Sequence, residues 1–359
     1  MIDPGGTLGI VGGGQLGRMI ALAAARYGLA THVYSPEPDS PAFAVACRHT
    51  RKAYDDEAAL IAFADAVDVI TYEFENVPRR TAEILRQRKP LRPGVEALAT
   101  TQDRFAEKSF VAGLGIATAP FRAVGGEADL ADALAEIGRP AVLKTRRFGY
   151  DGKGQVMIRP ETAAADAWRT LRGAPCILEG FVAFEREVSV VAARTAEGGF
   201  AAYDLCDNSH RDHILDVTRV PAGVSSDTER EAIAITERIA EALDYVGVLA
   251  VEMFVVRDGG EEAVVVNEIA PRVHNSGHWT IEGAVTSQFE QHVRAVCGWP
   301  LGSPERLGRI EMQNLIGHAA DGWRELLARR DTHVHLYGKA EARPGRKMGH
   351  LTRVRPERG

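Results

Sequence analysis

Hydrophobic positions along the chain change period several times, and each change marks an element. Residues 7–11, TLGIV, form an unbroken apolar run of strand length. Leu16, Met19, Ile20, Ala23 and Tyr27 then recur at helical spacing, and Gly28 closes that helix. A strand at 31–34, a helix at 58–64, a strand at 67–72 and a helix after Pro78 continue the alternation. Residues 1–100 therefore predict an open parallel α/β domain. From about Thr101 the alternation gives way to a helix at 103–111 and strands at 141–145, 156–158, 176–181 and 187–193, with a glycine-rich loop among them. Residues 204–215 read as a polar connector. Ile235, Ile239 and Leu243 mark the buried face of a helix over 226–243, with Ser226 and Glu229 as its capping box. Ser287 and Glu290 cap another helix, which turns Phe289, Val293 and Val296 inward and stops at Gly298 and Pro300. Beyond residue 300, short strands at 333–336 and 351–354 predict a small β-rich unit. The chain carries no internal repeat.

Residues 247–256, GVLAVEMFVV, and the run that opens at Val264 are β-rich, and RDGGEE joins them as a hairpin. A loop of odd length centred on Gly260 sets Val256 opposite Val264 and Glu252 opposite Glu268. Carboxylates so opposed lie about 5 Å apart at Cβ and repel. A divalent cation between them relieves the repulsion, and hard oxygen ligands suit Mg2+. Protonation of one acid, or an ion pair with Arg272, is the other way out. Past Glu268 the run exits into Arg272, His274, Asn275, Ser276 and His278. So many polar groups at a strand end mark either a site or a polar cap, because burying them unpaired is unfavourable.

Composition narrows the class. A chain of 359 residues holds two or three domains, and 45% hydrophobic with 26% charged content is that of an ordinary globular protein. A net charge of −6 argues against a nucleic-acid partner. The four cysteines are scattered without a CxxC, which predicts free thiols in a reducing compartment. With no signal peptide and no apolar run near about 18 residues, the expected location is cytoplasmic, away from membranes.

Several features suit phosphate chemistry. Gly12, Gly14 and Gly17 follow the first strand as a dinucleotide fingerprint, which lets a phosphate approach a helix N-terminus. The second strand, however, ends at Ser35-Pro36 without the acid that a ribose needs. Glu73 and Glu75 stand at a strand end as ligand contacts or as solvent-facing caps. Lys144 is a lone cation in an apolar strand, either an edge guard or aimed at phosphate. Residues 146–155, RRFGYDGKGQ, form either a long hairpin turn or a flap over a triphosphate. Glu179 and Glu187 either accept hydrogen bonds from an adenine or ribose or, for Glu187 as for Glu185, simply face solvent. Lys339, Arg343, Arg346 and Lys347 make a solvated tail or an anion clamp.

Taken together, these stretches resemble the ATP-grasp superfamily and, within it, the N5-carboxyaminoimidazole ribonucleotide synthetases. The residues that carry this are GGGQLGRM (12–19), YEFENV (72–77), TQDRFAEK (101–108), FGYDGKGQ (148–155), NEIAPRVHNSGHWTIE (267–282) with TSQFEQH (286–292), and YGK with RPGRKMGH (337–350). They run in order through nearly the whole chain. The resemblance implies a pre-ATP-grasp α/β domain at 1–100, an ATP-grasp domain at 101–298 and a small β-rich domain at 299–359. It implies that ATP phosphorylates bicarbonate to carboxyphosphate, which then carboxylates 5-aminoimidazole ribonucleotide directly or through carbon dioxide. ATP is expected at Arg104, Lys144, Gly149, Tyr150, Asp151, Gly152, Lys153, Gly154, Gln155, Glu179, Gly180, Phe181, Val182, Glu187, His210, Asn267 and Glu268. Mg2+ is expected on Glu252 and Glu268. The ribonucleotide is expected at Asp151, Arg272, His274, Asn275, Ser276, Lys339 and Arg346, with Arg272, His274, Lys339 and Asp151 as the catalytic set. A homodimer that passes its product to the N5-carboxyaminoimidazole ribonucleotide mutase is also implied. Two departures stand out. Ala270 replaces an Asn common after the second acid, which shifts the metal shell toward Asn267 or water. Lys153 replaces a frequent flap Arg, which removes a bidentate contact. The alternatives are an NAD-dependent oxidoreductase, a sister ligase such as formate-dependent glycinamide ribonucleotide transformylase, and a non-catalytic nucleotide sensor.

Overall fold

The computed structural model describes residues 1–149 and 152–356. Within them, the N-terminal sheet contains β1 (Thr7–Val11), β2 (Ala30–Tyr34), β3 (Arg48–Thr50) and β4 (Val69–Tyr72). Their order is β3-β2-β1-β4, all parallel, as the alternating strand and helix pattern predicts. The helix Gln15–Arg26 buries Leu16, Met19, Ile20 and Ala23.

A second sheet comprises β5 (Phe121–Val124), β6 (Ala141–Thr145), β7 (Gln155–Ile158) and β8 (Cys176–Gly180), antiparallel in the order β5-β8-β6-β7. The third and largest sheet begins with β9 (Arg186–Arg194), β10 (Phe200–Ala202), β11 (Cys206–Arg211) and β12 (Ile214–Val220). The expected connector at 204–215 is thus a hairpin. Every residue of β11 is polar or a cysteine, so no hydrophobic alternation reveals it, yet Cys206 and Asn208 are buried. The sheet continues through β13 (Gly247–Asp258), β14 (Glu261–Ala270), β15 (Arg309–Ile316), β16 (His333–Leu336) and β17 (Lys347–Arg355). Its order is β14-β13-β9-β11-β12-β15-β17-β16, with β10 on β9. The C-terminal strands therefore extend the central sheet, with Val217 paired to Gln313.

Local details correct two expectations. The helix Ser226–Ala242 is capped by Ser225, which accepts from the Thr228 amide; Glu229 instead accepts from the Leu205 amide at 3.3 Å. Starting one residue early moves the box out of reach. The Ser287–Glu290 box is present as expected. In the β13–β14 hairpin the turn is the two-residue Gly259-Gly260, with φ of 58° and 99°. Such a turn needs both residues in the left-handed region. Near it Val256 faces Ala263, one position off the expectation. A bulge then leaves Asn267 as the extra residue, and beyond it Glu252 does face Glu268. The acid pair is as expected, but the bulge creates it rather than the loop.

Candidate active site

Because opposed residues in an antiparallel sheet share a face, the register builds the site. One rung runs Ser189–Glu252–Glu268 across β9, β13 and β14. The next rung on that face runs Phe254–Glu187–Asn208–Thr218. Glu187, Asn208, Glu252 and Phe254 of these rungs, with His210 and Asn267, line a narrow recess. The two opposed acids, Glu252 and Glu268, differ sharply. Burial and the adjacent Glu268 push the Glu252 carboxyl up to about 7. Burial also works against Glu268, yet the Arg104 guanidinium, 2.8 Å away, holds it down at about 2. Arg104, not Arg272, is thus the cation that relieves the pair. The buried Asn267 Oδ1 has no hydrogen-bond partner among the described residues. It is a hard oxygen beside two carboxylates, a donor set that fits Mg2+. Glu187 pairs with His210, whose imidazole is held above its ordinary value by that carboxylate although burial opposes the charge.

Cations converge from the neighbouring elements. Arg104 opens the helix Arg104–Gly113, capped by Asp103, and its second nitrogen donates to the Gly149 carbonyl at 3.0 Å. Lys144 on β6 donates to Glu179 at 2.9 Å, and the buried Lys108 lies 3.6 Å from the same carboxylate. Glu179 Oε2 therefore serves two lysines inside the protein, while its buried Oε1 has no hydrogen-bond partner among the described residues. Gly180 ends β8, and the chain leaves it with the Phe181 ring exposed and Val182 half-buried. Gln155 pairs with Lys144 across β6 and β7. Gly152 and Gly154 have φ of 74° and 72°, and a Cβ on Gly152 would meet His213 at 2.5 Å. Lys153 lies in the same turn. Tyr150 and Asp151 lie outside the described residues.

After β14 the chain carries Arg272 to Glu75, an ion pair that joins the N-terminal domain to the central one. Glu73 takes a different seat. Its carboxylate accepts from the Gly14 amide at 2.8 Å and the Gly17 amide at 3.2 Å. A Cβ on Gly12 would sit 2.7 Å from the Glu73 side chain. The glycines thus admit the protein's own carboxylate to the helix N-terminus, where a phosphate was expected. His274 Nε2 lies 3.2 Å from Glu252, and burial with Arg272 beside it pushes the imidazole down to about 3. Asn275 exchanges two 2.9 Å amide bonds with Asn314 on β15. Ser276 is fully buried, its hydroxyl 2.7 Å from Ser189 and 2.9 Å from His274. The Ser276 hydroxyl thus points into the protein. Lys339 and Arg346 lie between β16 and β17, donating to the carbonyls of Lys347 at 2.7 Å and Glu341 at 2.8 Å.

Family models match the chain in three consecutive segments. A ribonucleotide synthetase preATP-grasp domain matches residues 6–102 and an ATP-grasp domain matches 109–289. A phosphoribosylaminoimidazole carboxylase C-terminal domain matches 311–359. The N5-carboxyaminoimidazole ribonucleotide synthase of Brucella melitensis is 51% identical over 357 residues, covering 99% of this chain and 98% of its own. The chain belongs to the N5-carboxyaminoimidazole ribonucleotide synthase family. A solved ADP complex of such a synthetase is 42% identical with a TM-score of 0.94, covering 99% of this chain and 94% of that one. The Aspergillus clavatus synthase, solved with ADP and 5-aminoimidazole ribonucleotide, is 30% identical with a TM-score of 0.90, over 98% and 94%. The N5-carboxyaminoimidazole ribonucleotide synthase fold accounts for all three sheets, and the oxidoreductase and sister-ligase alternatives are not favoured. Within this synthase fold, sequence reasoning gave no role to Lys108 or Asn208 and named Lys347 only within a cluster of cations. The Lys347 charge acts on Glu252, His210 and His274. Its only signal in the sequence was membership of a cluster of cations.

Proposed function

We propose that this chain catalyses the ATP- and bicarbonate-dependent carboxylation of 5-aminoimidazole ribonucleotide to N5-carboxyaminoimidazole ribonucleotide, a carbon–nitrogen ligation of purine biosynthesis. The end-to-end match to a synthase solved with ADP and 5-aminoimidazole ribonucleotide carries this reading. In it, bicarbonate takes the γ-phosphoryl of ATP to give carboxyphosphate and ADP. The exocyclic amine of the ribonucleotide is then carboxylated, and phosphate leaves. Arg104 and Lys144 face the phosphates, where fixed cations stabilise charge on the transferring group. Glu252, Glu268 and Asn267 would hold Mg2+, with water and phosphate oxygens completing the shell. Among the described residues no cluster of three or more His, Cys, Asp or Glu forms a metal site. Mg2+ is usually bound through one or two carboxylates. When bound, the ion neutralises charge on the phosphoryl oxygens. Glu187, His210 and residues 179–182 take the adenosine end. Arg272, oriented by Glu75, and His274 serve the carboxylation, with Asp151, Asn275, Lys339 and Arg346 at the ribonucleotide.

The same reading divides the chain at 1–100, 101–298 and 299–359, and takes the protein as a cytoplasmic homodimer that hands its product to a mutase. No helix of the described residues is long and apolar enough to cross a membrane, and the four cysteines are free thiols. The deciding assay is ADP release with 5-aminoimidazole ribonucleotide, with and without bicarbonate. Turnover that needs both substrates is expected. ADP release that formate supports and bicarbonate does not would overturn the reading.

A further inference from the structure

Behind His274 lies a line of buried hydroxyl and amide side chains that the reaction itself does not use. Thr218 Oγ1 donates to Asn208 Oδ1 at 2.9 Å. Asn208 Nδ2 donates to Ser189 Oγ at 2.9 Å. Ser189 Oγ is 2.7 Å from Ser276 Oγ, which is 2.9 Å from His274 Nδ1. Thr218, Ser189 and Ser276 are wholly buried, and Asn208 is 6% exposed. The four residues come from β12, β11, β9 and the turn after β14, so the line crosses the sheet.

Contacts at both ends favour one sense for this line. At the near end, the backbone N–H of Ser276 points at His274 Nδ1 from 3.3 Å. A backbone amide can only donate, so this contact favours a lone pair over a proton at Nδ1. At the far end, Asn208 turns its carbonyl to Thr218 and its NH2 to Ser189, so Ser189 accepts. Ser189 can then pass its own proton to Ser276, and Ser276 its proton to Nδ1, so that every hydroxyl donates once in one direction; Cys206 is a second partner of Ser189.

We infer that Thr218, Asn208, Ser189 and Ser276 are positioning residues that hold His274 as the neutral Nε2–H tautomer. The tautomer of a histidine follows from the hydrogen bond that its other nitrogen makes. Here the free N–H faces Glu252 Oε1 at 3.2 Å, on the side where the anions are handled. His274 therefore enters the reaction as a hydrogen-bond donor at Nε2. This rests on the role given to His274 above, whereas the tautomer rests on geometry alone.

Histidine 15N NMR of the whole protein without ligands tests the tautomer. The expected His274 signal is a protonated Nε2 with a bare Nδ1; a protonated Nδ1 overturns the inference whatever the variants do. Asn208→Asp reverses the line, because a carboxylate only accepts. Ser189 must then donate toward Asp, Ser276 toward Ser189, and His274 Nδ1 toward Ser276. The expected result is a switch to the Nδ1–H tautomer, with kcat lower by about a hundredfold or more and KM for ATP within about threefold. Thr218→Val removes the last hydroxyl without reversing any donor and is expected to keep the tautomer. A folded Asn208→Asp protein that still shows Nε2–H overturns the wiring. A switched tautomer with unchanged kcat supports the wiring and overturns the catalytic role of His274. If Asn208→Asp does not fold, the wild-type spectrum decides.

Discussion

Glu252 is a carboxyl whose burial and like-charged neighbour make it reluctant to ionise. Its value near 7 in the folded protein lies above the ordinary carboxylate value, so the folded state holds this proton more tightly than the unfolded chain. The sign follows. Between about pH 4.5 and 7, stability of the metal-free protein falls as pH rises, by on the order of 2 kcal/mol. A cation that replaces the proton removes the penalty. Thermal unfolding should therefore show little stabilisation by Mg2+ at pH 5 and a clear rise in Tm at pH 8. Glu252→Gln should flatten the pH dependence of the metal-free protein. Equal Mg2+ shifts at both pH values would sink the metal assignment. The same scale marks a limit of sequence reading. Opposed acids were legible because side-chain alternation is strict in a strand. Which cation relieves them was not, since Arg104 and Glu268 lie 164 positions apart and meet only in the fold.

The β13–β14 hairpin shows how an element can give the expected pair by an unexpected route. Periodicity and RDGGEE located both strands, but not the one-residue irregularity at Asn267 that reverses which side chains face the recess. A bulge leaves no mark in hydrophobic alternation when its extra residue is itself polar. β11 stayed hidden for a similar reason, as a buried strand whose inward residues are Cys206 and Asn208. By contrast, the Ser287–Glu290 box was legible, because capping is decided within three residues. The bulge also allows a clean test. Deleting Asn267 regularises the ladder while leaving Glu268 opposite Glu252. The variant should keep or slightly raise its Tm, yet lose about tenfold in affinity for Mg2+ and ATP, as a lost ligand oxygen worth about 1.4 kcal/mol implies. Calorimetric titration that finds wild-type affinity would remove Asn267 from the metal shell.

Across the whole molecule, three bodies of chain meet around one face. His292 joins two of them, accepting from the Val248 amide at 3.1 Å and bonding Thr71 on β4 at 2.8 Å. Lys339 and Arg346 come from the third, between β16 and β17. If these two clasp the 5′-phosphate of the ribonucleotide, each charge-assisted contact is worth roughly 1.5–3 kcal/mol. Lys339→Ala and Arg346→Ala should then raise KM for the ribonucleotide about tenfold to a hundredfold, with KM for ATP nearly unchanged. A rise in KM for ATP alone would mean that the two ligands are placed the wrong way round.

The shared ladder between β12 and β15 also has a consequence for synthesis. Ile214–Val220 leaves the ribosome well before Arg309–Ile316, its neighbour in the sheet. At ~5–20 residues per second, that strand waits for several seconds with one edge unpaired. It is the strand that carries Thr218, and such an edge invites pairing with other nascent chains. A message cut short before codon 309 should therefore give an aggregating product and no usable nucleotide-binding fragment. Seeding by such fragments is a hazard that the full-length chain escapes only when its last strands arrive.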